Sequence, residues 1–355
     1  MVMLTVRPLE RTIHLIKLKP SLEHLVPYRV LEQDAKVKLD ANEGVNYLFK
    51  EGVVLPELPL HLYPDTQAKG LKASLSRTHH IPQDTIILGQ GSSEIIEHVM
   101  KTYVAPGEVV LTMGPTFVMY KVYADLHNAR YVELPLNDDF SFNVEAFIEG
   151  IKTYQPKLTI VCSPNNPTGA TLTKETLLSI VEATDELVLI DEAYVEFARH
   201  QPSLIYDVKA HPNLVVCRTF SKAYGLAALR LGFGVAHPKR VEELNLTKVP
   251  YNINTINQAL GEIALSRNER VKKYVADVIR RREMLKDDLE QLGFNVYPSE
   301  GNFVFVKHPK AHLGTLLAQR GVLIRMFSNL EGHYRISVGT DKENAILIET
   351  LKEVL

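Results

Sequence analysis

From about residue 85 the chain repeats one hydropathy pattern. A short β-branched apolar run precedes a longer stretch whose apolar positions recur every three or four residues: TIIL then SSEIIEHVMKTYV, VVLTM then TFVMYKVYADLH, YVELPL then NVEAFIEGIKTY. The first kind of run predicts a strand and the second a helix. LTIVCSP, LVLIDEAY, LVVCRTFS and LGFGVAH continue the series. Strands this continuously apolar need helices on both faces, which predicts an α/β domain with a mostly parallel sheet over residues 36–245. The pattern then changes. Charged helical sequence from about Asn268 to Leu292 leads to NVYPSEGNFVFVKH, AHLGTLLAQRG, VLIRMF, YRISVG and a terminal helix, which predicts a smaller α+β domain over 246–355. Residues 1–35 have no regular period and are expected to form an arm lying across the body or a neighbouring molecule.

Length agrees with two domains, because 355 residues exceed what one compact core holds. With 45% hydrophobic and 23% charged residues and a net charge of -2, the chain is neither disordered nor built for a polyanion, so nucleic acid is not expected as a partner. No apolar run reaches the length of a membrane span, and charges interrupt the N-terminus before an apolar core develops; a cytoplasmic protein is expected. Cys162 and Cys217 lie in LTIVC and LVVC with no metal or redox spacing, as core thiols in a reducing compartment would.

Several strand ends carry reactive groups. Lys222 follows LVVCRTF just before the turn-like AYG. An amine held there loses hydration and becomes a nucleophile for aldehydes, a Schiff-base lysine, unless it is an ordinary surface lysine. Asp191 ends LVLID, and ligands of parallel sheets bind outside the carboxyl ends of strands. Its carboxylate could pair with a protonated pyridine nitrogen, and Tyr194 could donate to a phenolic oxygen; a helix cap and core packing are the alternatives. Asn166, in the tight turn SPNNPTG, could reach the same oxygen or only shape the turn. GQGSSE lies between a strand and a helix starting near Ser92, where helix amides favour an anion. It lacks the third glycine of a dinucleotide fingerprint and the lysine of a P-loop, so a monophosphate suits it better, with Ser221 and Arg230 completing the cradle. Phe117 could stack on a flat ring or belong to the core. Together these groups supply what one pyridoxal 5'-phosphate needs.

The motifs SPNNPTG, DEAYVEF, RTFSKAYGLAALRLGF, PYNINTINQAL and YRISVGT also carry a resemblance that spans nearly the whole chain. The chain resembles the fold-type I pyridoxal-phosphate enzymes of the aspartate aminotransferase superfamily, and within them most closely the histidinol-phosphate aminotransferases. The resemblance implies that Lys222 bonds the cofactor aldehyde, Asp191 pairs with the ring nitrogen, and Asn166 and Tyr194 bond the ring oxygen. It also implies that Ser92, Ser93, Ser221 and Arg230 hold the phosphate, and that Tyr63 reaches that phosphate from a partner subunit, making a homodimer with shared sites. Arg325 and Arg335 would read the anionic group of the substrate, with Tyr28 and Asn42 lining the pocket. The chain departs from the family pattern at Ser93, where an aspartate is usual, at Gly44-Val45, where asparagine-proline is usual, and at Met326, where an acidic residue is usual.

The expected reaction is transamination between glutamate or 2-oxoglutarate and histidinol phosphate, or another amino acid such as an aromatic one. Two other classes stay open: a lyase resembling threonine-phosphate decarboxylases, since the bond cleaved depends on which substituent stands perpendicular to the ring, and a cofactor-binding module without catalysis. The expectation that no DNA-binding segment precedes the domain argues against the last.

Overall fold

The computed structural model describes residues 17–23, 34–200 and 202–355. β1 (Val37–Leu39) comes first, then α1 (Lys69–His79), β2 (Ile86–Gly89), α2 (Gly91–Tyr103), β3 (Val109–Gly114), α3 (Met119–Leu126), β4 (Arg130–Pro135), α4 (Val144–Tyr154), β5 (Leu158–Cys162), α5 (Lys174–Glu182), β6 (Leu187–Asp191), β7 (Leu214–Thr219) and β8 (Gly232–Ala236). The rest is α6 (Pro238–Thr247), α7 (Thr255–Ser266), α8 (Asn268–Gln291), β9 (Asn295–Tyr297), β10 (Phe303–Lys307), α9 (Leu313–Gln319), β11 (Val322–Met326), β12 (His333–Ser337) and α10 (Asp341–Val354).

Seven strands form the larger sheet in the order β2-β8-β7-β6-β5-β3-β4. Every position of β5, β6 and β7 is buried, as the continuous apolar runs require. One face packs Ile95, Val99 and Tyr120 of α2 and α3, and the other packs Phe147 and Leu177 of α4 and α5. All strands run the same way except β8, which is antiparallel to both neighbours. The connection from β7 to β8 holds only a 3-10 turn at Ala227–Leu229 and no crossover helix, so the chain returns beside β7 reversed.

The smaller sheet has the order β1-β11-β12-β10-β9, with β1 parallel to β11 and the remaining pairs antiparallel. Val37–Leu39, which the hydropathy pattern assigned to the larger domain, therefore lies in the other sheet. Its partner is far along the chain, a pairing no local pattern reports. Conversely α6 and α7 pack on α2 and α1 of the larger unit, and α8 carries the chain between the two. Arg282 of α8 is buried where they meet, donating to the carbonyls of Phe197 (3.3 Å) and Gly301 (2.8 Å). Of the expected arm, a 3-10 turn at Pro20–Leu22 rests near α3; most of it lies outside the described residues. Among the described residues no helix is long and apolar enough to cross a membrane, and no group of His, Cys, Asp or Glu is arranged to hold a metal.

Candidate active site

Because β8 alone is reversed, the carboxyl ends of β2, β3, β5, β6 and β7 open toward one side. There they line a cleft of about 290 Å³ with the edge of the smaller sheet. Ser92, Ser93, Phe117, Asn166, Asp191, Tyr194, Ser221, Lys222, Arg230 and Arg335 all face it. Ten of the fourteen side chains proposed from sequence are thus brought together.

Lys222 extends from the loop after β7. Its Nζ lies 3.2 Å from the main-chain oxygens of Ala41 and Asn42 and 5.7 Å from the centre of the Tyr194 ring. Burial, reinforced by the cations Arg335 and Arg230 and partly opposed by Glu43 and Asp191, lowers its pKa to about 7. An amine in that state is a nucleophile at neutral pH.

Asp191 ends β6. Its Oδ1 accepts from the amide of Ala193 at 3.1 Å and its Oδ2 from the Tyr120 hydroxyl at 2.7 Å. Burial pushes its pKa up, while the Tyr120 and Ala193 donors pull it back. Tyr194 accepts from Nδ2 of Asn42 at 3.1 Å. Asn166 sits on a loop pinned by its neighbour: the Asn165 side chain donates to the Pro115 carbonyl (3.0 Å) and accepts from Thr116 Oγ1 (2.7 Å). Oδ1 of Asn166 then accepts from the Arg335 guanidinium at 2.5 Å.

At the other end of the cleft, α2 begins at Gly91 with φ of +77°, a conformation costly for any side chain. A Cβ there would also come within 2.8 Å of an Arg230 nitrogen. The bare backbone thus lets Arg230 close over the first turn of α2, where Ser92 and Ser93 lie. Ser221 Oγ accepts from Arg230 at 3.3 Å and from Thr219 Oγ1 at 3.0 Å. Helix amides, hydroxyls and a guanidinium in one place form an anion site.

The donor set fits the parts of pyridoxal phosphate one for one: an amine for the aldehyde, a carboxylate for the ring nitrogen, Asn166 and Tyr194 for the ring oxygen, and the cradle for the phosphate. Phe117, 5.5 Å from Tyr120 and perpendicular to it, presents an aromatic wall.

Of the remaining four, three are described and do not line this cleft. Asn42 is buried beside the cleft, with φ of 52°, and joins Tyr194 to Ser337. Arg325 stands opposite Arg335 in the β11–β12 register and lines an adjoining cleft of about 420 Å³ with Phe117, Asn166 and Arg335. Tyr63 is outside the cleft of its own chain, 80% exposed and stacked on Tyr251 at 4.5 Å. Tyr28 lies outside the described residues.

Sequence reasoning missed Tyr120, Glu43 and a buried pair behind the site. Arg218 of β7 donates to Glu192, the residue after Asp191, at 2.9 Å, and Ser203 and the Leu204 amide complete the carboxylate. A carboxylate next to Asp191 and a cation four residues before Lys222, each in an apolar strand segment, were the available signal. At two of the departures, the structure places Ser93 in the cleft and gives Gly44 a close approach. A Cβ at Gly44 would lie 2.9 Å from Gly225 Cα and 3.0 Å from the Tyr274 hydroxyl, so the bare backbone packs against the lysine loop. The two cysteines are free and buried, and burial raises both thiols well above their usual range.

Residues 49–351 match the family model for aminotransferase class I and II. The chain is similar to the histidinol-phosphate aminotransferase of Caldanaerobacter subterraneus subsp. tengcongensis, with 36% identity over 95% of this chain and 98% of the relative. It is 37% identical to that of Thermoanaerobacter pseudethanolicus, over 94% of this chain and 95% of the relative. In fold it is similar to the crystal structure of histidinol-phosphate aminotransferase from Sinorhizobium meliloti in complex with pyridoxal-5'-phosphate, with a TM-score of 0.86, 24% identity and coverage of 96% and 98% of the two chains.

Proposed function

The chain belongs to the class I and II aminotransferases, and on that premise we propose that it uses pyridoxal phosphate to exchange an amino group between histidinol phosphate and 2-oxoglutarate, a reaction of histidine biosynthesis. The observation that carries the cofactor is the shared cleft of Lys222, Asp191 and the Arg230–Ser221 cradle. When bound, pyridoxal phosphate supplies an aldehyde for amines and a ring that draws electrons from the carbon losing its proton. Asp191 would hold a proton at the ring nitrogen, Asn166 and Tyr194 would bond the ring oxygen, and Phe117 would pack against the ring. Lys222 Nζ, whose pKa burial lowers to about 7, would take the proton from the substrate carbon that bears nitrogen.

Arg335 and Arg325 serve the anionic end of the substrate. A guanidinium suits a carboxylate and a phosphate equally, so one pair of cations accepts glutamate and histidinol phosphate in turn. Losing a buried charge-assisted contact costs about 2 to 5 kcal/mol, so Arg335→Ala is expected to lower kcat/KM at least about thirtyfold. Arg325→Ala should penalise histidinol phosphate more than phenylalanine. Both are measured in one screen of histidinol phosphate, phenylalanine and threonine phosphate, following glutamate-dependent transamination and carbon dioxide release in parallel. A wild-type preference for phenylalanine would replace this reading with an aromatic aminotransferase, and carbon dioxide from threonine phosphate with a lyase.

The working unit in this reading is a cytoplasmic homodimer. Tyr63 is exposed in a chain whose other cofactor-binding candidates share a cleft, and Leu60, Leu62, Leu246 and Val249 around it in sequence and beside Tyr251 are exposed as well. A second copy covering them would bring Tyr63 to the partner's phosphate cradle. Mixing Lys222→Ala protein with an inactive Tyr63→Ala variant should return part of the activity, because a heterodimer can hold one intact site. If heterodimers form, Tyr63 is needed and no activity returns, the shared site is wrong.

A further inference from the structure

The Asp191 carboxylate has a partner that the reaction scheme has not used. Tyr120 lies in the first turn of α3 with no exposed surface, and its hydroxyl donates to Asp191 Oδ2 at 2.7 Å. The carboxylate also accepts from the Ala193 amide at 3.1 Å on Oδ1, and the buried Cys217 thiol is a third, weaker donor to it. The surroundings are apolar: Ile160, Leu189 and Val215 are buried in the same layer. Of the titratable groups, Cys162 on β5 and Cys217 on β7 are uncharged, Glu192 repels, and Tyr194 and Lys222 line the same cleft.

We propose that Tyr120 is a positioning residue for the reaction: its hydroxyl keeps the Asp191 carboxylate ionised and fixed in direction, so that the proton of the pair stays on the cofactor ring nitrogen. This rests on the reading of the cleft as a pyridoxal-phosphate site. A carboxylate facing a pyridine nitrogen shares one proton with it, and whichever partner is the stronger base in that environment takes it. Burial strengthens the carboxylate as a base. A phenol donating to one oxygen weakens it again, and leaves the lone pairs on the cleft side for the ring. Without the hydroxyl, the proton moves toward Asp191 and the ring becomes a neutral, weaker electron sink. Tyr120 also meets Phe117 edge to face at 5.5 Å. Its ring therefore braces the aromatic wall while its hydroxyl serves Asp191, and Tyr120→Phe removes only the second role.

The test is Tyr120→Phe in the full chain, reconstituted with pyridoxal phosphate carrying nitrogen-15 in the ring. The nitrogen resonance of the wild type is expected at the protonated position, and that of the variant displaced toward unprotonated pyridine. Loss of a hydrogen bond to a charged group predicts a fall in kcat of roughly tenfold to hundredfold, with KM little changed. Tyr120→4-aminophenylalanine, which keeps the shape and donates more weakly, should lie between the two in both readouts, and it decides the matter if the phenylalanine variant does not fold. A nitrogen resonance at the wild-type position in the folded variants overturns the proposal while leaving the cofactor assignment intact. A wild-type protein that binds no pyridoxal phosphate overturns both.

Discussion

Lys222→Ala should lower transamination at least about ten-thousandfold, because one substitution removes the side chain proposed both to anchor the cofactor and to move the proton. The cradle at the start of α2 does not involve this side chain, so the variant should still bind pyridoxal phosphate noncovalently, and borohydride should fix none of it to the protein. The pH dependence gives a second reading. The pKa of Lys222 is lowered from 10.5 to about 7, first by burial and then by Arg335. Below that value the amine carries its proton and its reactive fraction drops tenfold per pH unit; above it nothing more is gained. Capture of the aldehyde by apoprotein should thus rise with pH and level off just above 7, as followed by visible absorbance and by mass after borohydride reduction. A rate still climbing toward pH 10 would mean that the amine is not depressed. Normal turnover by Lys222→Ala would dismiss the lysine altogether.

Asp191→Asn is expected to be nearly as damaging. An amide cannot balance a protonated ring nitrogen, and removing one partner from a buried charged pair costs about 3 to 5 kcal/mol, a loss of hundredfold to several-thousandfold. The Ala193 amide and Tyr120 hydroxyl both donate to the native carboxylate. Asparagine must offer its nitrogen to one of them or turn it into the cleft, so the local arrangement is also frustrated. Steady-state kinetics with glutamate, beside a thermal melt to establish folding, measures the effect. Retention of most activity would show that the ring nitrogen has a different partner.

What could be read without a structure follows from what is local. Lys222, Asp191, Asn166 and the start of α2 each sit at a strand end marked by an apolar run and a turn, so their common exit toward one cleft followed from the parallel sheet. Tyr120 was hidden because MYKVYADL reads as an amphipathic helix, in which a buried tyrosine looks like core. The reversal of β8 was hidden because GFGVA has the same hydropathy as its parallel neighbours; only the short connection distinguishes it. β1 was misassigned because three residues carry no signal about a partner strand so distant in the chain. The position of Tyr63 outside its own cleft was expected through the family resemblance alone, since exposure depends on the folded surface and no hydropathy pattern reports it.

The placement of β1 has a mechanical corollary. The two carbonyls that receive the Lys222 amine belong to the residues leaving this strand, and the Arg335 guanidinium donates to the carbonyl of Asp40 at 2.6 Å. The arginines proposed to grip the anionic end of the substrate and the rest that steadies the lysine therefore ride on one sheet. A tilt of that sheet as an anion is drawn in would shift the lysine's acceptors in the same stroke. Grip and proton transfer would then be geared together, and substitutions along β11 and β12 that leave the arginines in place should disturb kcat as well as KM.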